Sequence, residues 1–491
     1  MKKRLLIVLC LVLIVTSVAL LAACNKFEQD PISGGDRTAN VYSNGGFAVR
    51  QGEWLYFVNG YDSEAESNEF GAVLKNSICR VKMDEDGSIG NNPVKCVVPK
   101  QVYWTNTESG FAVYGNWIYY ATPNYDKDRS GVASTTNLDF MRTSLDGTIT
   151  QLIFTASSRS LQYWFMPTRI VVYSDSKISA IDFTALGETK SVAKVSKKVT
   201  TTQLDSNVTS IVFKQDTEWS PTQGASISDY IFYTKSVTGT EAYKNYNELY
   251  MMKYDGSNKK LLVGDMSFGD KNYTLTLNGG VLEGDNQMTL VYVKQYVEGS
   301  STKYAGLFMN KVGLDFTFDK ATEKCLTANV SSTSVTVYPV SYEKGVIVSS
   351  SDTYYLLDGN KSGEDVFGEE NKVIGKASMS VNYVAKNGDG NYYVYYGASS
   401  SVSTLFRINL EPDNGSSPNE DIVLEEKFLT SWLVFDFITV GDRTWVYYFD
   451  SDDYSYMHGY ELSSFVGEKP SETELIGKMT SADKAAKDAA E

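Results

Sequence analysis

Histidine is almost absent from this 491-residue chain; the one imidazole is His458. Serine and cysteine nucleophiles of the triad kind need an imidazole beside them. Nothing around His458 resembles a nucleophile elbow, so it reads as an ordinary residue where a strand begins. Cysteine is scarce as well: beyond Cys24 only Cys79, Cys96 and Cys325 remain. With no Cys-x-x-Cys or paired histidines, tetrahedral zinc has no ligand set. No glycine-rich phosphate loop stands between a strand and a helix, so no nucleotide cofactor is expected. Positive charge is in deficit, 45 Lys and Arg against 60 Asp and Glu for a net −15. That balance repels nucleic acid and anionic headgroups, and leaves cationic peptides and neutral glycans open as partners.

What is present begins at the N-terminus. "MKKR" is a basic start, and residues 5–23 are an apolar run ending in Leu21-Ala22-Ala23-Cys24. The run is long enough to span a bilayer. Small residues before a cysteine, however, are what cleavage and lipidation require, and this ending resembles a bacterial lipobox. The expectation is a signal peptide over 1–23, a lipidated Cys24 with a tether over 24–40, and an extracytoplasmic protein held on the bacterial cell membrane. Several acyl chains, at about 0.8 kcal/mol per buried methylene, hold such a protein firmly. The other reading is an uncleaved single-span anchor, and both place residues 25–491 outside the cytoplasm. Cys79 and Cys96 could face each other across a hairpin centred on Asp86-Gly87. They read either as buried small residues or as a cross-strand disulfide.

The remainder repeats itself. "GFAVRQGEWLYF" at 46–57 is answered by "GFAVYGNWIYY" at 110–120. Continuing along 41–480 gives eight cycles of four short apolar strands, A to D, at about 55 residues each, a little above the usual propeller repeat. Tyr, Val, Ile, Phe and Thr dominate them, as strands prefer. Unit three reads "LQYWFMP", "RIVVYS", "KISAIDF", "SVAKVS", and the others follow the same order. Several C strands end in acid-glycine turns: Asp86-Gly87, Asp146-Gly147, Asp255-Gly256 and Asp358-Gly359. The expected fold is all-β, a single eight-bladed β-propeller of four-stranded blades, with seven blades as the alternative. Residues 481–491 read as a frayed tail.

The recurring "WLYF…RVKMDEDG" and "LYMMKYDG" pattern resembles bacterial propellers grouped as domain of unknown function 5050. Those are similar to the propeller of low-density-lipoprotein-receptor-related proteins. The resemblance spans about residues 41–480 and implies a propeller, with no activity, catalytic residue or cofactor to carry over.

Loop lengths give the functional expectation. Strands alternate in direction, so B–C and D–A connections leave one face of a propeller, and A–B and C–D turns the other. The long insertions are B–C loops: "NGYDSEAESNEFGAVLKNS", "TPNYDKDRSGVASTTN", "SVTGTEAYKNYN", "YVEGSSTKYA" and "FDSDDYSYM". Long loops on a rigid scaffold are where binding resides. The candidate ligand-binding residues are therefore Tyr61, Tyr125, Asp126, Asp128, Tyr243, Tyr246, Asp452, Asp453, Tyr454 and Tyr456. Tyrosine gives contact area at low entropic cost, and carboxylates accept from sugar hydroxyls or pair with amines. "DKDRSG" at 126–131 opens like a calcium loop, but its twelfth position is Asn137 where a bidentate Glu is needed, so no metal is expected. The expected function is a monomeric, membrane-anchored binding or scaffold protein for a glycan, a peptide or an envelope protein. The alternative is a carbohydrate-active enzyme working through paired carboxylates.

Overall fold

The computed structural model describes residues 41–59, 77–103 (less 91, 93 and 101), 111–124, 137–187, 198–238 (less 215–217 and 220–224), 246–264, 273–360, 366–374, 379–386, 390–398, 404–411, 420–424, 435–449 (less 442), 457–462 and 474–476. The leader, Cys24, the tether and the tail lie outside the described residues. Inside them, the regular structure is β-strand joined by short 3-10 turns.

The strands form eight antiparallel sheets, each built from consecutive A, B, C and D strands. The A strands of sheets four to seven touch in succession, as do those of sheets eight, one and two, and so line the middle of the molecule. Strand B lies between A and C and is packed on both faces, which is why it reads as a continuous apolar run. Trp117–Pro123 of sheet two is buried at every position. The D strands are outermost, and Thr150–Ala156 of sheet two shows the consequence, with Leu152 and Thr155 turned to solvent. The architecture is a β-propeller of four-stranded blades.

Two expectations need correction. Seven sheets have four strands and the remaining one has six, so the count of four-stranded blades is seven, the alternative, rather than eight. The six-stranded sheet is the second. An N-terminal strand, Val41–Gly46, runs antiparallel along the inner edge of its strand A. A two-residue strand, Glu218–Trp219, borrowed from the A–B connection of sheet four, pairs with the far side of that N-terminal strand. No repeat unit announces those two additions, because they are pairings between segments far apart in the chain. The second correction concerns sheet three, whose strand D is Thr200–Ser206. The apolar "SVAKVS" taken for that strand falls outside the described residues.

The acid-glycine turns do more than reverse the chain. In three of them the glycine N–H closes a turn at 2.7–2.9 Å, to the oxygens of Asp84, Ser144 and Lys253. The glycines then take φ of 88°, 73° and 84°, a backbone that side chains resist. In all four turns the Asp side chain accepts the N–H two residues on, at Ser88, Thr148, Ser257 and Asn360. Each turn also leans on the preceding sheet. Trp445 of sheet eight donates its indole N–H to the Asp86 oxygen at 3.2 Å, and Arg80 of sheet one donates to the Leu145 oxygen at 3.0 Å. Leu204 of sheet three lies against Gly256, and Lys324 of sheet five against Gly359. A Cβ at Gly87 would stand 2.4 Å from the Trp445 nitrogen, so the turn residue also fixes how closely sheets eight and one approach.

That last contact matters because the first and last sheets must close the ring without sharing a strand. On the opposite face, Asp436 of the last strand A accepts from the backbone N–H groups of Phe47 and Ala48 at 2.8 and 2.9 Å. The residue is half-buried, and burial of the carboxyl pushes its pKa up to about 7 although the two N–H groups oppose the shift.

Candidate binding face on sheets four and five

Of the residues selected from sequence, Tyr246 alone lies within the described residues. Tyr61, Tyr125, Asp126, Asp128, Tyr243, Asp452, Asp453, Tyr454 and Tyr456 fall outside them, as does Cys24. Tyr246 is the first residue of strand C of sheet four, Tyr246–Lys253, on the B–C face as expected. It pairs with Val237 and is half-buried.

One predicted loop is not a loop. "YVEGSSTKYA" continues the strands of sheet five, Gln287–Glu298 and Ser301–Gly313, which pair until Glu298 meets Ser301. The signal was in the sequence: "LVYVKQYVEG" carries β-branched and aromatic residues without a break, and only Gly299-Ser300 is left to turn. The hairpin therefore rises from the B–C face as an arm, with Val297 55% exposed at its tip. At its base the ladder shifts register between Lys294 and Gln295. Gly306 stands opposite, with φ 142°, and a Cβ there would lie 2.3 Å from the Thr327 oxygen. The bend thus needs a residue without a side chain.

Aromatic rings gather around the base of the arm. Tyr273, at the start of strand A, meets Tyr296 of strand B edge-on at 5.7 Å. Sheet four joins at the same place: the Asn247 N–H donates to Thr274 Oγ1 at 2.7 Å, and its side-chain amide donates to the Leu275 oxygen at 3.2 Å. Tyr246 and Tyr273 therefore flank one hydrogen-bonded pair, with Tyr296 beyond and Tyr304 on the next strand. Sequence reasoning missed Tyr273 and Tyr296 because they sit inside strands rather than in an insertion.

Two charge clusters, each gathered on a buried carboxylate, lie in this region. Below the arm, Glu323 accepts from the Tyr292 hydroxyl at 2.6 Å and pairs with Lys294, both charged side chains being under a tenth exposed. The Lys294 ammonium lies 4.2 Å from the Phe308 ring centre and 5.5 Å from that of Tyr273. Burial lowers its pKa, and Glu323 works against the shift. At the seam between sheets three and four, Asp205 accepts from the Tyr233 hydroxyl at 2.6 Å, Lys235 at 2.7 Å and Lys259 at 2.6 Å. Burial pushes Asp205 up, but the bonds from Lys235, Lys259 and Tyr233 outweigh it and hold the carboxyl at about 2. Tyr233-x-Lys235 and Tyr292-x-Lys294 occupy matching positions of strand B, so one device serves both sheets.

These clusters are saturated with internal partners and offer no carboxylate to a substrate. His458 is buried in strand C of sheet eight beside the Tyr448 ring, 5.2 Å away. What the described part of the region presents outward is an aromatic floor with a projecting arm, an arrangement that offers contact area.

No protein-family profile and no curated protein matches the chain. Solved structures do. The β-propeller domain of the Trilobed protease from Pyrococcus furiosus is 10% identical, with 77% of this chain and 97% of that one covered, at a TM-score of 0.32. A prolyl endopeptidase is 10% identical over 85% of this chain and 55% of its own, at 0.39. A polysaccharide lyase, an ulvanlyase, is 8% identical over 90% and 97%, at 0.34. At such identities the likeness is one of fold.

Proposed function

We propose that this protein is an extracytoplasmic binding or scaffold protein, lipid-anchored through Cys24, that holds a glycan, a peptide or a partner protein on its B–C face. The resemblance to the bacterial propellers of domain of unknown function 5050 belongs to the same reading and adds no activity to it. One observation carries the reading. Strand Val41–Gly46 runs antiparallel to strand A of sheet two, so the chain enters the middle of the propeller from the face of the tight turns. Val41, the first described residue, and the aromatic arm therefore lie towards opposite faces. In this reading an anchor that reaches the propeller through Val41 leaves the arm, Tyr246, Tyr273 and Tyr296 on the face away from the bilayer, open to ligands of the envelope.

The test is a binding screen of residues 25–491 against arrays of neutral envelope oligosaccharides and of peptides, followed by titration of the best probe. Tyr246→Ala and Tyr296→Ala are each expected to weaken that probe at least tenfold, the loss of roughly 1.4 kcal/mol that one aromatic contact supplies. Unchanged affinity in both variants removes the site from this face. Turnover of an oligosaccharide, abolished by one carboxylate substitution, replaces the binding reading with an enzymatic one. The anchor is tested apart, by fatty-acid labelling of the wild type against Cys24→Ala; equal label in both ends it.

A further inference from the structure

Sheet one holds two thiols that the binding face does not use. Cys79 in strand C and Cys96 in strand D are Cα partners across the ladder, beside the register shift that follows Ile78. Both are buried, at 1% and 8% exposure. Both are free thiols placed side by side by that pairing, and the buried Ser77 hydroxyl, which has no hydrogen-bond partner, stands next to them. The pair is also polarised. Burial and the adjacent Cys96 push the Cys79 thiol up, whereas the Cys79 thiol, followed by Ser77 and the Val98 N–H, brings Cys96 down despite its burial. One sulfur is thus suited to attack and the other to hold its proton. Direct cross-strand partners bring their Cβ atoms within about 4.5–5.5 Å, near disulfide reach, and a local bulge supplies the remaining adjustment.

We propose that Cys79 and Cys96 form a dithiol site that closes to a cross-strand disulfide by exchange with a small-molecule or protein disulfide. Strand D, Lys95–Val98, is the outer strand of its sheet, so its fraying admits the oxidant. The Cys96 thiolate attacks one sulfur of the incoming disulfide and expels the first leaving thiolate. Cys79 passes its proton to that thiolate and attacks the Cys96 sulfur, expelling the second. Two electrons leave the cysteines, and one disulfide becomes two thiols. The odd number of cysteines after Cys24 then resolves into a pair plus Cys325, which stands in sheet five. The site itself is independent of the binding reading; only the supply of oxidant in the cell depends on export.

The experiment equilibrates residues 25–491 in glutathione buffers of graded redox ratio, quenches with acid, alkylates under denaturing conditions and maps the peptides. Oxidised buffers are expected to leave Cys325 as the alkylated cysteine and to yield a Cys79–Cys96 cross-linked peptide. Reduction then lowers the thermal midpoint of the wild type but not that of the Cys79→Ala, Cys96→Ala double variant. Three alkylated cysteines in the fully oxidised buffer overturn the proposal, as does a cross-link through Cys325. A chain that oxidises in buffer but is isolated reduced from the cells that make it supports the site and counts against export.

Discussion

Two neighbouring seams solve one problem in different ways. Between sheets two and three, Arg142 is 3% exposed and spans the gap with neutral partners. Its Nε donates to Gln151 Oε1 at 2.8 Å, an Nη donates to the Gly187 oxygen at 2.9 Å, and the guanidinium lies 4.0 Å over Trp117. Between sheets three and four the charge is ammonium, and it takes a carboxylate, Asp205, to hold Lys235 and Lys259. A guanidinium is planar, weakly hydrated and suited to an aromatic face, so carbonyl and amide oxygens suffice to bury it. A compact, strongly hydrated ammonium needs an anion. Sheets one and seven repeat the first solution, with Arg80 over Trp54 at 4.8 Å and Arg407 over Tyr393 at 4.8 Å.

Removing the anion tests the comparison most severely. Asp205→Ala takes the acceptor from the buried Tyr233 hydroxyl and from two ammonium groups that are 24% and 37% exposed, and is expected to cost about 2–3 kcal/mol of unfolding free energy, read from urea midpoints. A loss under about 1 kcal/mol, the size expected of an exposed pair, would mean that water already reaches this seam. At the other seam, Arg142→Lys keeps the charge but gives up the planar fork, with an expected cost of about 2 kcal/mol. Arg142→Met removes the charge and keeps the packing over Trp117, and is expected to cost less than Arg142→Lys. The reverse order would show that net charge, rather than the guanidinium's shape, holds sheets two and three together.

Both devices were partly visible in the sequence. "ICRVKM", "DFMRTSL" and "TLFRINL" each place an arginine inside an apolar strand C, and "EWLYFV", "NWIYYAT" and "NYYVYYG" supply the ring beneath it. Strand order, the B–C face and the register of Cys79 with Cys96 followed from alternation and turn chemistry, because those are local rules. What did not follow was long-range. Nothing near Val41 or Glu218 says that they pair, and nothing in "LDSNVTS" says that Asp205 collects lysines from the next sheet. Of the candidate residues read from the sequence, Tyr246 alone falls among the described ones. The aromatic floor was not legible, because a strand that outgrows its sheet has the same composition as one that does not.

The seam between sheets eight and one sharpens the contrast in the pH dimension. Asp436 titrates near 7 in the folded protein and near 3.9 unfolded, so between those values the folded state holds the extra proton. Its stabilising contribution is full below about 4 and is lost as pH rises through about 7. Asp205 has the opposite sign: held at about 2, it stabilises above its unfolded value near 4 and loses that contribution as pH falls towards 2. Relative to Asp436→Asn, the wild type is expected to lose roughly 1–2 kcal/mol between pH 5 and pH 8, measured by denaturant unfolding at each pH. A difference that stays flat over that interval would place the Asp436 carboxyl in contact with bulk water.

The smallest effect belongs to an ion pair that resembles the Asp205 cluster in composition only. Lys82 and Glu53 stand 3.1 Å apart beside the tight turns of sheet one, with side chains 48% and 35% exposed. Water solvates both groups before and after folding, so their attraction gains little over what solvent already provides, and ordering two long side chains offsets part of it. Glu53→Gln is expected to change the unfolding free energy by less than about 0.5 kcal/mol, and raising the salt to 1 M, where the Debye length is about 3 Å, removes even that. Asp205→Ala should keep most of its cost in the same salt, since the Asp205 carboxylate that the lysines and Tyr233 share is only 5% exposed. If the two variants lose their effects in parallel as salt rises, the Asp205 cluster is a surface network. The distinction drawn between arginine seams and lysine seams would then have to be given up.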